Sequence, residues 1–151
     1  MYEKYGDKAR FLMVYIREAH PADPKQTASN AGVKAIGDVV YHQPKTFAER
    51  RKLAETACTY WDVKFPALID TIEPNVSSVY NSHPNRVYLI GTDGKIVYRG
   101  VRGPMGGMAR PAEVALVKLL GLPEGNYVSV EPRPMRRRAP GARRPPQRPP
   151  Q

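Results

Sequence analysis

Cysteine is almost absent from this chain. Cys58 stands alone among 151 residues, which excludes an internal disulfide and any CxxC redox pair within them. Long apolar runs are missing too: none approaches the about 20 residues that a membrane-spanning helix needs. The N-terminus has no basic segment followed by an apolar stretch and a small-residue cleavage site, so a cytoplasmic location is the expectation. The glycine-rich stretch from Gly103 to Met108 lacks the trailing Gly-Lys-Ser/Thr of a phosphate-binding loop. Histidine occurs three times, at His20, His42 and His83, without HxxxH or HxH spacing. No metal site and no cofactor are therefore expected.

Positive charge is plentiful, and its location matters. The formal charge is +10, but Glu131 to Gln151 hold seven Arg against one Glu, so this tail supplies +6 and the remainder only +4. The tail alternates Pro and Arg without aromatic residues, the composition of an extended, disordered segment. The expected division is a domain over residues 1–124 and a basic tail over 125–151. A solvated extension is one reading of that tail. Docking on nucleic acid or an acidic partner is the other, although no aromatics interleave to stack bases.

Within the domain, the strongest local signal is Phe11-Leu-Met-Val-Tyr-Ile16, a continuous apolar run that suits a buried strand. Arg17, Glu18 and His20 follow at once, where a strand of an open α/β sheet would emerge at its carboxyl end and such sheets place their sites. Met1 to Ala9, with Tyr2 and Tyr5 on one helical face, reads as helical turns feeding this strand. Pro21 and Pro24 then impose a loop to about residue 35. Val39-Val-Tyr41 is a short, extended apolar run.

Thr46-Phe-Ala-Glu49 is a capping box, and the helix it opens is predicted to reach Trp61. Its apolar face comprises Phe47, Leu53, Ala54, Ala57, Cys58 and Trp61, with Arg50, Arg51, Lys52 and Glu55 toward water. Cys58 on that face reads as inert packing. Phe65 to Asp70 predicts a second strand, with Asp70 capping the turn that follows. Glu73 to Ser82 predicts a short helix burying Val76, Val79 and Tyr80. Arg86–Gly91 and Lys95–Gly100 flank Asp93-Gly94, a hairpin signal. Pro111 opens a last helix with Val114, Leu116, Val117, Leu119 and Leu120 as its core face, stopped by Gly121 and Pro123. Alternating elements closed by a hairpin and a helix predict an α/β fold with a mixed sheet flanked by helices.

The stretch His83-Pro-Asn-Arg-Val-Tyr-Leu-Ile, followed by Asp-Gly-Lys-Ile-Val-Tyr-Arg-Gly, resembles the second half of a thioredoxin-like fold, with Pro84 at the cis-proline position. More narrowly, Tyr15-Ile-Arg-Glu-Ala-His-Pro-Ala-Asp23, joined to Asp70, Tyr80, Arg86-Val-Tyr88 and Gly100-Val-Arg-Gly-Pro104, is similar to the iodothyronine deiodinase family, and within it to the bacterial deiodinase-like members. The likeness covers residues 1–121. It implies that Tyr15, Glu18 and His20 line a reductive site, with His20 donating a proton or holding the substrate. It implies that Arg102 and Pro84 contact a small-molecule substrate, and that a thiol reductant supplies the electrons. The implied activity is that of a thiol- or selenol-dependent oxidoreductase, by reductive dehalogenation or the related reduction of peroxides.

Four departures stand out. Asp23 is followed by Pro-Lys where the family has Gly-Trp. Asn85 replaces an acidic residue. A second family histidine falls near Pro44, two residues from His42. The family's selenocysteine or cysteine, on the turn between its first strand and first helix, aligns upstream of Met1. The expectation is thus an N-terminally incomplete thioredoxin-like domain, inactive as written, whose gene was read from a Met downstream of a selenocysteine UGA codon. Because that first strand is central, its loss would bare two rows of strand amides and carbonyls. The alternative is a non-catalytic binding module that uses the basic tail.

Overall fold

The computed structural model describes residues 1–23, 36, 40–73, 75–103 and 109–129. The expectations for residues 24–35, for Val39, for 104–108 and for the tail from 130 fall outside them. Eight elements follow in chain order: α1 (Tyr2–Tyr5), β1 (Met13–Tyr15), α2 (Phe47–Tyr60), β2 (Ala67–Ile69), α3 (Val76–Val79), β3 (Tyr88–Ile90), β4 (Ile96–Arg99) and α4 (Ala109–Leu119). This is the expected mixed α/β order, consistent with the thioredoxin-like class. None of the described helices is long and apolar enough to cross a membrane.

β1 and β2 pair in parallel, Met13 opposite Ala67 and Tyr15 opposite Ile69, which requires a crossover between them, and α2 lies in that connection. β3 and β4 pair antiparallel, Tyr88 opposite Arg99, with a register shift after Leu89. Their turn passes through Gly94 at φ 78°, a conformation that suits glycine. Among the described residues the strands form two separate two-stranded sheets.

Each sheet has its own core. Tyr15, Ile36, Tyr41, Ala54 and Ala57 are buried together, with Met13, Leu53 and Ile69 packed on them. Tyr5, Leu116 and Val117 form the second cluster, joined by Phe11, Leu89, Leu122 and Tyr127. The capping box of α2 is formed: the Thr46 hydroxyl accepts from the Glu49 amide at 3.2 Å, and the Glu49 carboxylate accepts from the Thr46 amide at 3.2 Å. The last helix ends in a Schellman motif, in which the Leu122 amide donates to Val117 O and the Gly121 amide to Lys118 O, with Gly121 at φ 63°.

Some predicted faces are turned. Phe47 and Trp61 are about half exposed at the two ends of α2, while Arg50, expected in water, is 3% exposed. Arg50 is buried because its guanidinium satisfies backbone carbonyls, donating to Asp70 O at 3.1 Å and to Thr71 O. On α3 the buried residue is Ser77; Val79 is 76% exposed, since four residues make a single turn with one inward position. On α4, Glu113 rather than Val114 faces inward.

Glu113 is fully buried and organises the end of the domain. One carboxylate oxygen accepts from Tyr5 Oη and the Val128 amide, both at 2.8 Å, and the other from the amide and hydroxyl of Ser129. Arg110 lies over the Tyr127 ring at 4.0 Å and donates to Ser129 O at 3.0 Å. These contacts hold the segment from Tyr127 to Ser129 against α4. Burial works against the Glu113 charge, but the Ser129 hydroxyl, the two amides and Tyr5 outweigh it and lower the carboxyl to about 2. Burial and the adjoining carboxylate push Tyr5 up to about 12.

A carboxyl whose folded pKa is depressed stabilises the fold above its ordinary value of 4.5 and loses that contribution as pH falls toward about 2. Glu113→Gln is expected to lower stability at neutral pH by about 2 kcal/mol. In urea melts at successively lower pH, the difference between wild type and variant should shrink. A constant difference would show that the carboxylate charge is not what holds residues 127–129.

Candidate active site

The carboxyl ends of the parallel pair meet here. Tyr15 is the last residue of β1, and its hydroxyl donates to Glu18 Oε1 three residues on. Both are buried. Burial raises the Glu18 carboxyl above its ordinary value, an effect that the Tyr15 hydroxyl and the Arg50 charge only partly offset. Burial, then the Glu18 hydrogen bond, also raises the Tyr15 hydroxyl. Tyr15 therefore stays protonated and donating across the physiological range. Tyr41, buried in the same core, is raised by burial and by Glu18.

Gln43 fixes the backbone of this turn. Its side-chain oxygen accepts from the Glu18 amide at 2.9 Å, and its side-chain nitrogen donates to Glu18 O at 3.4 Å. The Gln43 amide donates to Asp23 Oδ2 at 2.8 Å, so Asp23 closes the loop that began at β1. His42 approaches Asp23 from the exposed side, Nδ1 to Oδ1 at 3.6 Å. Nothing in the sequence pattern marked Gln43, because a backbone clamp has no periodic signature.

His20 is half-buried, and its Nδ1 is enclosed without a hydrogen-bond partner among the described residues. His83 Nε2 lies 3.5 Å from Glu18 O. The His83–Pro84 bond is cis, as the resemblance implied for Pro84. Burial, then the charge of Arg17, lowers His83, and Arg102 and His20 add to this. Arg17, Ser77, Ser78, Asn81, His83 and Arg102 line a pocket of about 230 Å³. Arg102 Nη1 donates to Asn81 Oδ1 at 3.0 Å, and Asn81 is itself held at φ 49° beyond α3. Arg17 and His83 had carried no assigned role; both sit in connections whose approach only the fold decides.

The floor of the pocket rests on Asp70, which caps the next turn as expected. Its carboxylate accepts from the amides of Thr71, Asn75, Val76 and Ser77 at 2.9–3.3 Å. Burial opposes the Asp70 charge, but these amides outweigh it and lower the carboxyl. That network occupies Asp70 as a structural cap. Among the described residues no group of three or more His, Cys, Asp and Glu side chains could hold a metal ion.

Tyr15 and Glu18 are hydrogen-bonded, His83 Nε2 lies 3.5 Å from Glu18 O, and Arg102 lines a pocket with His83. The iodothyronine deiodinase family model matches residues 1–118. The chain belongs to the iodothyronine deiodinase family. It is 32% identical over 114 residues to a type I iodothyronine deiodinase of Xenopus laevis, covering 76% of this chain and 40% of that protein. It is 33% identical over 103 residues to a thyroxine 5-deiodinase of Gallus gallus, covering 68% of this chain and 36% of that protein. A thyroxine 5-deiodinase of Sparus aurata is 30% identical over 104 residues, covering 68% and 35%. The chain spans about two fifths or less of the length of these deiodinases.

The position of His83 among the cations is testable by itself. In a titration followed by imidazole NMR, His83 is expected to titrate below the ordinary histidine value of 6.5. Arg17→Gln and Arg102→Gln should each move its midpoint upward. A midpoint indifferent to both variants would leave burial as the whole cause.

Proposed function

We propose that this chain carries the proton-handling and substrate-holding part of a thiol- or selenol-dependent reductive dehalogenation site. The observation that carries the reading is the buried Tyr15–Glu18 hydrogen bond at the carboxyl end of β1, beside His20, in a member of the deiodinase family. A carboxyl raised by burial can exchange a proton near neutral pH more readily than an ordinary glutamate, and Tyr15 is its hydrogen-bonded donor. His20 presents an imidazole to the same space, suited to hold a phenolic group or to pass on a proton. Arg102 offers a guanidinium to an anionic substituent.

The chemistry balances as follows. A thiolate or selenolate takes the halogen from the aromatic carbon, and that carbon receives a proton routed through His20 and Glu18. An external thiol then displaces halide from sulfur or selenium, and a second thiol completes a disulfide. One aryl halide and two thiols become one arene, one halide ion, one proton and one disulfide.

Cys58 is the one cysteine of these 151 residues. It lies half-buried on α2, close enough to Tyr15 to add to the rise of its hydroxyl. Its thiol belongs to the packed side of that helix, which suits structure rather than attack. The reading therefore expects turnover only with a nucleophile that these residues do not include.

The purified 151-residue chain, mixed with an iodinated phenol and excess dithiol, is expected to bind the phenol without releasing iodide or consuming peroxide. His20→Gln and Arg102→Gln should each weaken binding about tenfold, the loss of one good polar contact of about 1.4 kcal/mol. Iodide release abolished by Cys58→Ser would overturn the assignment of Cys58. An absence of phenol binding would overturn the substrate reading.

A further inference from the structure

Of the pocket's lining the redox reading uses only Arg102; Arg17, His83 and the polar side chains around them have no part in it. The six lining residues include two arginines and no carboxylate. Arg17 arrives from the turn after β1 and Arg102 from the segment after β4, so two connections distant in sequence bring their guanidiniums to one space. Neither forms an ion pair among the described residues. The nearby acids are already engaged: Asp70 by four backbone amides, and Glu18 by Tyr15. Arg102 is oriented by Asn81, which uses one of its five N–H groups.

We propose that the Arg17–His83–Arg102 pocket binds a dianionic oxyanion of the phosphate class, free or carried on a small molecule. Charge counting selects the class. Two fixed positive charges facing one pocket are half compensated by a carboxylate and fully compensated by a dianion, and guanidinium forks match tetrahedral and planar oxyanions alike. Polar side chains complete the wall, with Ser78 and Asn81 on or just after α3. His83 forms the side toward Glu18; burial first, and then the charges of Arg17 and Arg102, lower its imidazole, and an anion in the pocket would relieve the second cause. Both arginines are exposed, so binding is screened by salt. The proposal stands on the pocket alone and does not depend on dehalogenation.

The test uses the full 151-residue chain and inorganic phosphate, at low ionic strength and a pH where phosphate is mainly dianionic. Saturable binding by calorimetry should shift the imidazole resonances of His83 and leave those of exposed His42 in place. Arg17→Gln and Arg102→Gln should each weaken it at least about tenfold, and acetate should bind at least about tenfold more weakly than phosphate. Replacing Arg136, Arg137 and Arg138 by Gln should leave the His83 response unchanged. Affinity that survives both pocket variants, or that is lost with the tail variant, would assign phosphate binding to the basic tail and overturn the site. Acetate binding as tight as phosphate would overturn the choice of a dianion.

Discussion

Backbone groups buried at the carboxyl end of β2 must find partners, and two side chains supply them. The Asp70 carboxylate takes the amides that open α3. The Arg50 guanidinium, reaching from α2, takes the carbonyls of Asp70 and Thr71. An unpaired buried backbone group costs about 1–3 kcal/mol, so the junction decides where α3 can sit. α3 in turn carries Ser77 and Ser78 to the pocket and ends at Val79, two residues before Asn81, which orients Arg102. Arg50 also lends its charge to Glu18. One buried cation thus connects the helix, the second strand, the pocket wall and the acid.

The acids of this domain divide by their surroundings. Glu113 and Asp70 are buried among donors that favour the charged form, and both are held below the ordinary carboxyl range. Glu18 is buried with a single hydroxyl donor and a cation nearby, and it is raised. The first two serve as anchors for chain segments. The third is held above the ordinary carboxyl value by burial. The count of hydrogen-bond donors separates anchor from acid here.

The two sheets have their own cores, and the candidate site lies where the connections leaving them approach one another. Glu18 and His20 follow β1, His83 and Pro84 precede β3, and Arg102 follows β4. Gln43, from the segment ahead of α2, bolts the first of these turns in place. Single-site substitutions in any one connection would therefore be felt through the others, and His83 is the natural reporter because it lines one pocket with both arginines.

Local signals alone sufficed for much of this. The capping box at Thr46 and Glu49, the Gly121 stop and the Asp93-Gly94 turn each bring their own hydrogen-bonding or steric reason and formed where predicted; the apolar run Phe11–Ile16 became a strand only over Met13–Tyr15, with Leu12 exposed. The Tyr15–Glu18 hydrogen bond joins residues three positions apart at the strand's end, so its nearness was legible in the sequence. What tertiary structure decided was burial and convergence. Arg50 and Glu113 look like surface charges on their helices, and they became interior residues because distant backbone groups needed partners. Val79, Phe47 and Trp61 look like core and were left in water because short elements and helix ends offer few inward positions. Arg17, His83 and Arg102 are separated by long stretches of chain, so no spacing rule could join them. Their shared pocket exists because two sheet ends meet there, and that is a property of the fold.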